Sequence, residues 1–197
     1  MKSSSGMVTV VSLLIAALGT SMAVGQENSR NGRATLFNGT DLDQWVLLGD
    51  ANWTIVDDVV QADSGNGFLV SAQTYGDFHL TLEFWTDTDA NSGVFIRCSD
   101  SNDIGSGNAY EINIFDKRPD QTYRTGGIVN FSAPTSIIDA ANQWNTYEIT
   151  AQGSRLLVEL NGTVTADIED TTYSAGPIAL QYGAGIVKFR RVRIRRL

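Results

Sequence analysis

Short runs in which apolar and polar residues alternate recur along this chain, and no apolar stripe of helical period longer than a turn or two accompanies them. Successive side chains on a strand point to opposite faces, so a period of two marks a strand with one face buried. Phe78-His79-Leu80-Thr81-Leu82-Glu83-Phe84-Trp85 is the clearest case. Trp144 to Ala151, Arg155 to Leu160 and the basic tail Val187 to Arg195 follow the same rule. Asn161-Gly162 is the residue pair of a tight hairpin turn. Roughly a dozen such runs, separated by turn residues, predict an all-β chain folded as an antiparallel β-sandwich or barrel. Ile128 to Phe131 is expected to add a strand, and Ser136 to Asn142 one helical turn.

Residues 1–25 read as a signal peptide: Lys2, an apolar run from Met7 to Leu18, then small residues Ala23-Val24-Gly25. The apolar run is short for a membrane span, so the processed chain is expected in the periplasm or outside the cell, without stable membrane insertion. Residues 26–33 are polar and patternless and read as a disordered lead-in; 34–197 are read as one β-sandwich domain. Cys98, the single cysteine, is expected to be a buried thiol pointing to the core side. A net charge of -8, with the basic tail interleaved with apolar residues, argues against nucleic acid as a partner.

The stretch Asn91 to Asp116 carries the candidate site. If Val94 and Ile96 face the core, alternation sends Phe95 and Arg97 to the other face; if Tyr110, Ile112 and Ile114 face the core, Glu111, Asn113 and Phe115 share the opposite one. A hairpin closing around Asp89-Ala90 would add Glu83 beside Arg97 and Trp85 beside Phe95. An arginine, carboxylates, an amide and an indole would then meet on one sheet face. Between the two runs, Asp100 to Asn108 resembles a calcium loop in composition only, and no metal or other cofactor is expected.

The order and spacing of several motifs resemble the 3-keto-disaccharide hydrolase domain family over Leu36 to Leu197. They are Leu36-Phe37-Asn38-Gly39, Tyr75-Gly76-Asp77-Phe78, Asn91-Ser92-Gly93-Val94-Phe95-Ile96-Arg97, Tyr110-Glu111-Ile112, Trp144-Asn145-Thr146-Tyr147-Glu148, Leu160-Asn161-Gly162, and Gly176-Pro177-Ile178 with Leu180-Gln181. The resemblance implies a concanavalin A-like jelly roll with a concave face, and cleavage of the glycosidic bond of sugars oxidised at carbon 3. Many members of that family carry Asp-His-Gly after the Leu-Gln pair. Here Tyr182-Gly183-Ala184 stands there, and His79 is the single histidine.

A ketone at carbon 3 acidifies the proton on carbon 2, so such cleavage needs a base, a group that stabilises the enolate oxygen and an acid for the leaving sugar. Glu111 is the candidate base and Arg97 the candidate oxyanion group, with Glu83 beside them. Asn113, Trp85, Asn91, Asp116 and Tyr182 are the candidate substrate-binding residues, and the ligand is a saccharide. The rival expectation is a non-catalytic carbohydrate-binding module using the same face.

Overall fold

The computed structural model describes residues 33–197, so the expected signal peptide and most of the lead-in lie outside the described residues. The strands in chain order are β1 (Arg33–Phe37), β2 (Trp45–Gly49), β3 (Thr54–Val56), β4 (Val59–Ala62), β5 (Gly67–Tyr75) and β6 (Phe78–Thr86). They continue with β7 (Ser92–Ile96), β8 (Tyr110–Ile114), β9 (Trp144–Gln152), β10 (Arg155–Leu160), β11 (Thr163–Glu169), β12 (Gly176–Tyr182) and β13 (Val187–Arg196). A 3-10 turn, Gln121–Tyr123, is the only helical element among the described residues. Residues 136–142 form bends and turns rather than the expected helical turn, and Ile128 makes only isolated bridges. β1 begins at Arg33, inside the expected lead-in.

The strands form two antiparallel sheets. The larger has eight strands, ordered β11-β10-β9-β6-β13-β4-β3, with β1 also paired to β13; the smaller has five, ordered β2-β5-β12-β7-β8. Their inner faces pack Leu80, Leu82, Phe84, Tyr147, Ile149 and Phe189 of one sheet against Leu69, Val94, Ile96, Ile112, Ile178 and Leu180 of the other. This is the all-β, jelly-roll sandwich that the sequence led us to expect. β6 shows why its alternation is so clean: its burial pattern switches strictly between buried and half-buried, because its outer face meets solvent.

β7 and β8 are buried along their whole length. A second apolar cluster explains this: Phe68, Val70, Phe95, Cys98 and Ala179 pack with Ile104 and Ala109 of the loop between β7 and β8. Phe68 and Phe95 meet edge to face, with centroids 5.3 Å apart. Phe95 therefore does face away from the core, as alternation required. At Asn161-Gly162 the hairpin joins β10 to β11 with φ of 52° and 75°, the left-handed pair that a tight turn demands.

Candidate active site

β8 sets the parity that matters. Ile112 and Ile114 enter the central core, so Glu111 and Asn113 lie on the outer face of the smaller sheet. Register places Phe95 and then Ala179 beside Glu111, and Gly93 beside Asn113. One pleat step along, the same register brings Gln181 of β12 alongside Gly93. Because Gly93 has no side chain, Glu111 can lean across β7: a Cβ there would stand 3.2 Å from Glu111 Cγ and 3.4 Å from its Oε1.

Glu111 is 8% exposed, and burial pushes its carboxyl up to about 7, with the Arg118 guanidinium opposing the rise. The buried amide of Asn113 donates to the Tyr123 carbonyl, which leaves its Oδ1 without a partner. Gln181 Oε1 and Arg118 Nε are likewise buried and unpartnered. Such groups are costly unless something bonds them, and a sugar's hydroxyls and carbonyl would do so. Support comes across the core: Tyr147 of β9 donates its hydroxyl to the Asn113 carbonyl at 2.7 Å and accepts the Gly126 N–H at 2.9 Å.

Several expected site residues lie elsewhere. Arg97 has a φ of +52°, a left-handed conformation that breaks the alternation of β7 and swings its side chain to the end of the sandwich. There, 1% exposed, it donates to the carbonyls of Gly76 (2.9 Å), Gly153 (2.9 Å) and Tyr173 (3.3 Å) and to Asp77 Oδ1 (3.1 Å). The same twist reverses Cys98, which packs in the outer cluster instead of on the core side; burial pushes its thiol up to about 12.

Glu83 and Trp85 are on the opposite surface of the molecule. β6 is flanked by β9 and β13, so no edge remains for β7, and the segment after Thr86 crosses to the other sheet instead of turning back. Glu83 accepts from Arg190 at 2.6 Å and Arg191 at 2.8 Å, and Lys188 lies over Trp85. Tyr182 points into the core with its hydroxyl on the Gly185 carbonyl. Asp116 is committed to structure: it accepts from Thr125 Oγ1 and from the N–H groups of Ala140 and Ala141, pinning the long connection to β9. Asn91 precedes Gly93 by one pleat step, and its amide fills the space over Gly183, where a Cβ would come within 2.9 Å of Asn91 Nδ2.

The outer face of the smaller sheet thus brings together Glu111 and Asn113, with Asn91 at its margin, and adds Phe95, Gln181 and Arg118. Arg118 sits in a segment that reads as a linker. Its one sequence signal is a cation in the first turn after the strand that carries the carboxylate.

A family model described as the 3-keto-alpha-glucoside-1,2-lyase-like domain matches residues 32–195. Two solved structures from Parabacteroides distasonis, both assigned as candidate glycosyl hydrolases, superpose on the chain. The first has a TM-score of 0.73 at 17% identity, covering 84% of this chain and 94% of that one. The second has a TM-score of 0.71 at 24% identity, covering 85% and 100%. A carbohydrate-binding module from Bacillus subtilis superposes with a TM-score of 0.63 at 18% identity, covering 77% and 95%. No curated protein matches the chain in sequence.

Proposed function

Since the chain belongs to the 3-keto-alpha-glucoside-1,2-lyase-like domain family, we propose that it cleaves the glycosidic bond of 3-keto-disaccharides or 3-keto-glycosides, with Glu111 as general base. The observation that carries this reading is the Glu111 carboxyl itself, buried and raised to about 7, beside unpartnered polar atoms of Asn113, Gln181 and Arg118. A base poised near neutrality takes protons with the greatest effect there.

Glu111 takes the proton from carbon 2, and the electron pair moves onto the carbon 3 oxygen as an enolate, with Arg118 as the cation that offsets the new charge. Return of that pair forms the carbon 1–carbon 2 double bond and expels the glycosidic oxygen, which takes its proton from solvent water. A water molecule then adds its oxygen to carbon 1 and gives up one proton to the solvent. The proton held by Glu111 goes back to carbon 2, so the net change is the consumption of one water. Asn113 Oδ1 and Gln181 Oε1 accept hydrogen bonds from sugar hydroxyls, which fixes the ring over β7.

The test is release of glucose and its 3-keto partner from a 3-keto-disaccharide. Turnover should rise with pH through about 7 and fall by roughly a hundredfold or more in Glu111→Gln. Unchanged turnover in that variant removes Glu111 from the role of base.

A second reading, a non-catalytic carbohydrate-binding module, draws on Arg97 being bound to backbone carbonyls, away from Glu111. It expects saccharide binding without turnover in the parent protein, and Arg118→Gln that weakens binding alone.

A further inference from the structure

Strand register on the outer face of the larger sheet sets like charges against one another. Arg33 of β1 stands directly opposite Arg195 of β13, and Arg193, two residues along, shares their face. Like charges directly opposite are destabilising. Elsewhere arginines have acids: Arg190 and Arg191 share Glu83, Arg155 holds Asp167, Arg124 holds Asp139, and Arg97 holds Asp77. Among the described residues, no ion pair involves Arg33, Arg193 or Arg195. Among the described residues the cluster thus has no acidic partner, in a chain of net charge -8.

The cluster lines a hollow of about 380 Å³ together with Thr35, His79 and Thr81. A second hollow adjoins it, sharing Thr81 and Arg193 and adding Thr146 and the Arg191–Glu83 ion pair, so its charge is already balanced and the anion site is confined to the first. Further along the face, the half-buried indoles of Trp85 and Trp144 stand side by side across β6 and β9.

We propose that this face binds an acidic polysaccharide, one bearing carboxylate or sulfate groups. Guanidinium forks match such anions bidentately. The hydroxyls of Thr35 and Thr81 suit the hydroxyls between them; the His79 ring, held by Thr150 and Glu148, and the indoles of Trp85 and Trp144, covered by Lys188 and Arg190, border the site. The shape of the charge selects against other polyanions. Away from β13 the same rows continue into Glu148, Glu159 and Asp167 on β9, β10 and β11. A stiff duplex or a flat anionic bilayer would meet those acids, whereas a single flexible strand can run along β13 and avoid them. The proposal stands independently of the reaction assigned to Glu111, which lies on the other sheet.

The full chain is titrated with oligogalacturonate and with dextran sulfate, using neutral dextran and anionic phosphatidylglycerol vesicles as separate arms. Acidic oligosaccharides should bind and neutral dextran should not, and the binding should weaken between about 20 and 200 mM salt as screening sets in. The double variant Arg193→Gln/Arg195→Gln should bind roughly tenfold more weakly; Arg33→Gln alone should show a smaller loss. Circular dichroism and a melting curve confirm that these surface variants fold. Equal binding by the double variant, equal binding of neutral dextran, or binding to vesicles alone overturns the proposal. So does salt-sensitive self-association of the chain that the double variant abolishes without any oligosaccharide binding.

Discussion

Arg97 shows how one dihedral angle redirects a side chain that alternation alone would send into the site. With φ at +52°, its guanidinium reaches three main-chain carbonyls and Asp77 in a place that is 1% exposed. Removing it leaves the half-buried carbonyls of Gly76 and Tyr173 without their donor, while the exposed Gly153 carbonyl and Asp77 carboxylate can turn to water. Arg97→Met should lower stability by about 1–3 kcal/mol, measured by urea unfolding. Because the side chain does not touch the Glu111 face, the fraction that remains folded should keep its saccharide affinity; loss of affinity without loss of stability would return Arg97 to the site. Glu111 and Asn113 were legible from parity because β8 keeps a regular pleat throughout. Arg97 was not, since nothing in the local sequence marks a left-handed backbone at an arginine. The position of Arg118 beside Glu111 was not legible for a related reason: it lies in a turn, where no period reports side-chain direction.

At the scale of strands, β7 and β8 work as a pair in which one supplies the carboxylate and the other the room for it. Gly93 is the device. Gly93→Ala places a methyl 3.2 Å from both Glu111 Cγ and Phe95 Cε2, so the carboxyl must tilt away from the sheet. The sandwich should survive, with a melting temperature within about 4 °C of the parent. Turnover should fall by about tenfold or more, because catalysis is sensitive to small displacements of a base. Unchanged kinetics would mean that the carboxyl's lean over β7 is irrelevant. Strand existence was readable nearly everywhere, from Phe78–Trp85 to the Asn161-Gly162 hairpin. Strand partnership was not. Asp87 to Ala90 contains turn-prone residues whether it closes a hairpin or crosses between sheets. What excludes the hairpin is that β9 and β13 already occupy both edges of β6, and that information is spread over a hundred residues of chain.

For the whole molecule, the Glu111 carboxyl links stability to pH. Its folded value, about 7, lies above the ordinary 4.5. The folded state therefore binds more protons than the unfolded chain between those values. This contribution is fully present below pH 4.5, is lost as pH rises through about 7, and is on the order of 3 kcal/mol. Glu83 works in the opposite sense: Arg190 and Arg191 overcome its desolvation and hold its carboxyl below the usual range, so its contribution disappears in acid. Urea midpoints should fall from pH 5 to pH 8 in the parent and stay nearly level in Glu111→Gln. An equally steep fall in the variant would assign the linkage to another group.

The two outer faces of the sandwich point in opposite directions, Glu111 on one and the arginines of β13 on the other. A film or wall that holds the protein by its arginines would leave the carboxylate turned toward the open medium. If the proposed reaction holds, the chain would then be an immobilised catalyst, oriented the same way at every copy.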